Sequence, residues 1–481
     1  MKGSTMKNIY LILALYFSFG NGGFSNITLV PDDRPTIQEA ILYSIPGDTV
    51  LVREGTYNEL INFNGKQVVV GSFFLTTGNS TYIDQTIISA PSPGPVVTFE
   101  NGETELTSLI GFTIKNGTGK KEGFTFYGGG IYCNNAHPAL EHLQIMDNVA
   151  GGLGGCGGGI YFRDSHAAVM DCLIEGNEAS YGGGIRCDGS NVTIIKTWFR
   201  DNFAVNSGGG VMFHLCSAPR IQQCTFTGNS GIYGGAICCN ESNPVIDRIT
   251  SFYNTGGYGG TLNIEAMSNP KIINSILWKN SIDTTIVNEI FLGNGSNSLL
   301  VAYCDILGSD TSIHAFGSST VNWMEGNIEL YPEFNDPLTL DLTLPENSPC
   351  VNAGTALYIY NGDTLVSIKD FSGSSPDMGA YEYLQPVAIS QLRNSGNGLD
   401  CQVLAGNSIF EKIIRFKLPQ NGQIYLSIYD LRGREMVLLA DRFLPAGEHR
   451  FSWNHSTFPT GIYIVRLITP HCGSSKQLLV H

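Results

Sequence analysis

Positive charge is scarce in this 481-residue chain. Lys and Arg number 27 against 42 Asp and Glu, the formal net charge is −15, and charged residues make up 14% of the whole. That balance argues against nucleic acid and anionic membranes as partners, because both are bound through basic surfaces. Long apolar runs are lacking too. The run over residues 9–19 is too short for a spanning helix, which needs about 20 apolar residues, and no later segment qualifies. No transmembrane segment is therefore expected in the mature chain. Twelve cysteines are present but no CxxC pair, which speaks against a zinc ribbon or a thioredoxin-type site. GxSxG, HExxH and Walker signatures are missing, as is a GxGxxG in a βαβ setting.

Glycine, by contrast, is abundant: 58 residues, well above the about 7% of average proteins. Glycine frees the backbone for tight turns. With ordinary apolar content, this points to an ordered all-β chain with many corners. The acidity is uneven, since residues 400–481 hold nine Lys or Arg and six Asp or Glu. At the N-terminus, Lys2 and Lys7 precede the apolar run and small polar residues follow it. Residues 1–25 read as a signal peptide, so the chain is expected to be exported.

Six segments share a glycine-pair opening: GGGIYC at Gly128, GGGIYF at Gly157, GGGIRC at Gly182, GGGVMF at Gly208, GGAICC at Gly234 and GGTLNI at Gly259. Their starts lie 29, 25, 26, 26 and 25 residues apart. A period of this size marks a solenoid, because one unit is too small to bury a core alone. Ile131, Ile160, Ile185, Val211, Ile237 and Leu262 form one column. Cys133, Phe162, Cys187, Phe213, Cys239 and Ile264 form another, two residues on and therefore on the same inward face. Cys133 and Cys187 would then sit two rungs apart, roughly 9 to 10 Å, beyond disulfide reach. These cysteines read as buried thiols acting as small hydrophobes. A second signature ends in Asn148, Asn177, Asn202, Asn229 and Asn280, preceded by an inward column read as Ile145, Ile174, Phe199, Phe226, Phe252 and Leu277. Asparagine suits a left-handed corner, and its amide can bond the Asn of the next rung.

The pairing of these GGA[ILV]-type and FxxN-type motifs resembles the repeats of chlamydial polymorphic membrane proteins and related bacterial β-helix adhesins. No sign of their C-terminal autotransporter barrel is seen. The opening TIQEAI…PGDTVLV…GTY resembles that of pectin methylesterases and pectate-lyase-like β-helices. There Thr36 and Glu39 make a capping box, and Ile37, Ala40 and Ile41 line one face of a short helix over the first rung. IGFTIKNG at Ile110 is similar to the rung before the repeats in such proteins. PDMGAYEY, from Pro376, resembles the closing rung of bacterial surface β-helix proteins. The expected fold is thus all-β, a right-handed parallel β-helix solenoid over residues 26–383, followed by a linker at 384–399 and a small β-sandwich at 400–481. SIYDLRGREM, LPAGEHRFSW and PTGIYIVRL in that last segment resemble the type IX secretion sorting domain of Bacteroidetes-like bacteria, without its common Asn-Pro opening. The resemblance implies export across the outer membrane, with the type IX machinery as partner of residues 400–481 and a cell-surface or extracellular location.

Chemistry is harder to place. The outward columns of the repeat strands read Tyr132, Tyr161, Arg186, Met212, Cys238, Asn263 and Asn134, Arg163, Asp188, His214, Asn240, Glu265. Tyr132 and Tyr161, beside Arg163 and Arg186, suit stacking and hydrogen bonding to sugar rings. Arg186, Asp188 and His214 are weaker candidates for lyase chemistry, which needs a base and a partner that neutralises a carboxylate. The same residues also fit an ordinary solvated sheet face. The expected role is a surface-displayed binding or adhesion scaffold for an extracellular polysaccharide or cell-surface glycan. A polysaccharide lyase or another carbohydrate-active enzyme is the alternative. No metal site or cofactor is expected, and a calcium requirement stays open.

Overall fold

The structure, a computed structural model, describes residues 26–280, 288–383, 401–405, 411–429, 435–454, 461–469 and 473–480. The expected signal peptide and linker lie outside the described residues. The chain divides into two compact units, Met1–Tyr383 and Leu384–His481.

The first unit is a parallel β-solenoid. Its first sheet has twelve strands, from Ile27–Val30 to Thr320–Trp323. The second has ten, from Gly55–Asn58 to Asp305–Ile306, and the third has ten, from Ile61–Asn62 to Ile313–Ala315. A shorter fourth sheet runs from Val149–Ala150 to Thr255–Tyr258. The glycine-pair strands build the third sheet in the expected register: Ile131, Ile160, Ile185, Val211, Ile237 and Leu262 are successive partners. Both inward columns are fully buried, and small Cys alternates with large Phe up the second. The ten cysteines with described side chains are buried and unpaired. Burial pushes the Cys133 and Cys172 thiols up to about 12, so both stay protonated.

The glycine pair has a physical cause at each of its two positions. Gly157 adopts a φ of +66°, and a Cβ there would meet the Ile160 carbonyl oxygen at 2.2 Å. Its neighbour Gly158 has no such φ, but a Cβ would lie 2.5 Å from the Gly183 oxygen of the next rung. Two constraints, one local and one between rungs, keep side chains out of this corner.

The asparagines form a continuous buried ladder. Each Nδ2 donates to the next Oδ1, from Asn148 to Asn177 at 3.0 Å and on through Asn202 and Asn229 to Asn254 and Asn280. Two expectations are corrected. Asn254 belongs to the ladder, and the inward residue three places before it is Ser251, which pairs with Phe226 and Leu277. Phe252 instead faces outward and packs under Phe334. The left-handed residue is also not the asparagine but the one before it, such as Asp201 at φ +53°. At the next rung a carboxylate takes the ladder position. Glu289 Oε1 accepts from the Asn280 backbone N–H at 3.0 Å, and Oε2 accepts from Asn280 Nδ2 and Thr261 Oγ1, each at 2.9 Å. Glu289 is fully buried, and burial raises its pKa to about 7.

Over the first rung lies the helix Ile37–Tyr43, with Ile37, Ala40 and Ile41 buried and the Thr36 side chain accepting from the Glu39 N–H. Glu59 accepts from the next two free N–H groups, those of Ile37 and Gln38. The far end departs from expectation. Met378, within PDMGAYEY, packs outside the second sheet against Phe252, Ile276 and Trp278 instead of closing the stack. The Gly379 N–H donates to the Asn274 carbonyl, and the Ala380 N–H to Thr250 Oγ1. The apolar Met and Tyr of this motif therefore serve as a cover on outward apolar residues. In the second unit, strands Cys401–Ala405, Glu411–Leu418 and Gly447–Asn454 form one antiparallel sheet. Four strands between Gly422–Tyr429 and Gly473–Val480 form another, also antiparallel. Phe416, Leu426, Trp453 and Val465 share their core.

Candidate ligand-binding grooves

The outward columns of the third sheet stack as the sequence implied, Tyr132 on Tyr161 on Arg186 and Asn134 on Arg163 on Asp188 on His214. They do not lie on an open face. A hairpin, Lys120–Glu122 paired antiparallel with Thr125–Tyr127, covers the first two rungs. Tyr132 and Tyr161 are each only 1% exposed. The Tyr132 hydroxyl donates to Glu122 at 3.1 Å, and the Lys120 ammonium, paired with Glu100, sits 4.7 Å from the Tyr132 ring centre. Arg163 pairs with Glu122 and lies 5.0 Å from the Tyr127 ring and 5.3 Å from that of Tyr161. The two tyrosines expected to stack on sugars thus have their faces filled by the protein's own cations and rings. The expectation failed because the hairpin is an insertion with no repeat pattern to announce it.

Below the hairpin edge, Asp188 is the hub of a polar cluster. It accepts from the Tyr161 hydroxyl at 2.7 Å, and its Oδ1 accepts from Arg186 Nε at 3.0 Å and Nη2 at 2.9 Å. His214 Nδ1 lies 3.0 Å from the same oxygen. Burial, reinforced by Asp188, keeps the Tyr161 phenol protonated. These contacts tie both Asp188 oxygens to the protein's own side chains, which leaves little room for a substrate proton at either. Beside the cluster opens a groove of about 370 Å³, lined among others by Tyr127, Cys156, Tyr181, Arg186, His214 and Asn240. Burial lifts the Cys156 thiol to about 11, so it offers no thiolate nucleophile at neutral pH.

The larger groove lies on the second sheet, where no site was foreseen. It measures about 540 Å³, and Gln144, Leu173, Trp198, Lys196, Arg200 and His142 are among its lining residues. Gln144, Leu173 and Trp198 stack in register on three rungs. One end is bounded by Ile83 and by Asp84, which accepts from Gln144 Nε2 at 2.5 Å. At the other end the Tyr381 ring meets Trp198 at 6.3 Å, and its hydroxyl bonds Thr225. These two covering segments, Thr81–Gln85 and the stretch around Tyr381, stop short of each other and leave Leu173 and Trp198 half-buried between them. Arg200 pairs with Glu175 at 2.6 Å along one side. Burial lowers the His142 pKa, which favours a neutral imidazole, while Asp171 opposes the shift. The sequence did carry a sign of this groove. The residue before each inward member of the asparagine motif points outward, and there Leu and Trp follow Gln.

Among the described residues no three His, Cys, Asp or Glu side chains converge as a metal site would require, and no helix is long and apolar enough to cross a membrane. The description of right-handed β-helix regions matches residues 25–236 and again 129–329, which together span more than half of the chain. No curated protein matches. Among solved structures, a pectin methylesterase from carrot is similar at 12% identity with a TM-score of 0.34, over 64% of this chain and 90% of that one.

Proposed function

We propose that this chain, which belongs to the family of right-handed β-helix regions, is a surface-displayed glycan-binding protein whose sugar site is the Trp198 groove. The observation that carries this reading is the apolar Leu173 and Trp198 floor, open across stacked rungs and edged by Gln144, Lys196 and the Arg200–Glu175 pair. A sugar presents an apolar face and a rim of hydroxyls, and this arrangement offers an aromatic surface with donors and acceptors around it. A groove running along the stack suits an extended chain. The net charge of −15 disfavours strongly acidic polymers, so neutral or weakly acidic glycans bind with modest affinity. In this reading residues 400–481 act as the type IX sorting domain, which the sequence motifs support. The alternative, a polysaccharide lyase built on Arg186, Asp188 and His214, has less support because Asp188 is saturated with donors.

Calorimetry against a panel of neutral and acidic oligosaccharides tests the proposal, with an absorbance assay for unsaturated products run on the same samples. Trp198→Ala should lower affinity roughly tenfold, since aromatic contacts of this kind contribute about 1 kcal/mol or more. Binding that survives both Trp198→Ala and Leu173→Asp would remove the groove from consideration. Product formation lost in His214→Ala would favour the enzyme instead.

A further inference from the structure

The smaller groove holds chemistry that the Trp198 site does not use. Arg186 is largely buried, its side chain 12% exposed, yet it lines the groove. Its Nε and Nη2 are committed to Asp188, whereas among the described residues Nη1 bonds only the Met212 sulfur, at 3.8 Å. A guanidinium nitrogen turned toward a soft sulfur retains donor capacity that a carboxylate oxygen would fill far better. The Tyr181 ring braces the guanidinium at 5.2 Å, so the cation is held in place before any ligand arrives. His214 has its Nδ1 fixed by Asp188, which leaves Nε2 as the second polar atom of a groove-lining side chain, and Asn240, which also bonds Glu265 of the next rung, adds an amide. The opposite wall is aromatic, from Tyr127 and Tyr181. Two exposed apolar residues stand nearby, Phe124 at 83% and Leu153 at 82%, joined through the Thr125 hydroxyl and the Leu153 carbonyl. Thr125 itself lines the groove.

We propose that this groove is a second, separate binding site that takes one six-membered ring bearing a carboxylate. The carboxylate sits on Arg186 Nη1, the ring lies against Tyr181, and His214 and Asn240 bond its remaining polar groups. Its volume of about 370 Å³ is at the lower end for small-ligand sites, which suits one ring better than a chain. The site stands independently of the Trp198 groove, on a different sheet.

Saturation-transfer NMR on the full chain tests this with three probes of similar size: glucuronate, benzoate and glucose. In the Trp198→Ala chain, where the glycan groove is disabled, glucuronate or benzoate should bind and glucose should not, with the choice between the two acids showing whether a sugar or an aromatic ring is preferred. Arg186→Met should weaken the bound acid roughly tenfold or more. Because that variant leaves Asp188 with fewer donors and can disturb folding, Asn240→Asp is the second arm. It leaves every donor on Asp188 in place, sets a carboxylate at the groove wall beside His214, and should weaken the acid several-fold. Trp198→Ala should leave acid binding unchanged, which keeps this site distinct from the glycan groove. No binding of either acid at millimolar concentration would overturn the proposal, as would equal binding of glucose in the Trp198→Ala chain or full affinity in Asn240→Asp.

Discussion

Replacing Glu289 by Gln should make the solenoid more stable at neutral pH and change little in acid. The carboxyl of Glu289 is fully buried at the end of the asparagine ladder, with donors around it and, among the described residues, no cation paired with it. Its pKa rises from 4.5 to about 7 because burial penalises the charged form more than the three donors favour it. A raised folded-state value means the folded chain holds this proton more tightly than the unfolded chain does. Below pH 4 to 5 both states are protonated and the group costs nothing. As pH climbs from there through 7 the unfolded state gains by ionising, and the folded state loses up to about 3 kcal/mol, at 1.36 kcal/mol per pKa unit. Glutamine has nearly the same shape, and its oxygen can accept from Asn280 as every ladder amide accepts from the rung before. Urea unfolding of both proteins from pH 4.5 to 8.5 is the assay. Exchange of the Asn280 amide serves as a local readout, since a stack of rungs need not unfold as one unit. The two curves should meet in acid and part by about 3 kcal/mol at pH 8. A gap that stays constant with pH would refute the reasoning. The pH dependence would then rest on other carboxyls such as the buried Asp305 and the half-buried Glu382, each also raised to about 7, chiefly by burial.

Ile185→Asp should abolish cooperative unfolding, because it sets an unpaired carboxylate between Ile160 and Val211 in the core. A thermal shift no larger than that of an exposed-face change such as Lys196→Ala would sink the register. Asn202→Ala should cost about 2 kcal/mol or more, since it strands the Asn177 donors and vacates a buried site, and chemical denaturation reads this directly. Deleting residues 400–481 should leave the first unit folded but held in the periplasm of its own host, which cell fractionation reports. Normal surface display of the truncated chain would mean the tail does not sort.

The third sheet was legible because two constraints repeat together: glycines that exclude side chains at a corner, and an aliphatic residue followed two places later by another inward one. Stacking in register then multiplies each small preference. Where the repeat lapses, reading by hydrophobicity misleads. Phe252 drew the eye as the inward residue of its rung, yet Ser251 holds that place and bonds Thr261 across the core. The ladder spacing, counted back from Asn254, would have corrected it. The Tyr132 and Tyr161 face was misjudged for a different reason. Alternation along a strand says which way a side chain points, but not what a separate segment lays over it, and nothing in KKEGFTFY marks it as a cover. The Trp198 groove was hidden likewise, because it is defined by where two covering segments end and not by its own residues alone.

The alternation of Cys and Phe up the inward column sets a rule for how such a body grows. From Cys133 through Phe162, Cys187 and Phe213 to Cys239, each Phe rests between two Cys, whereas below them Phe99 stacks on Phe63 at 4.4 Å. Duplicating a single unit of about 26 residues would bring Phe onto Phe, a contact the core accommodates at Phe199 and Phe226, or Cys onto Cys, which leaves a void. Duplicating two units together restores the sequence of sizes at both seams. Within the Cys133 to Cys239 stretch, lengthening or shortening the scaffold by two turns at a time therefore keeps a packing that a single turn would disturb.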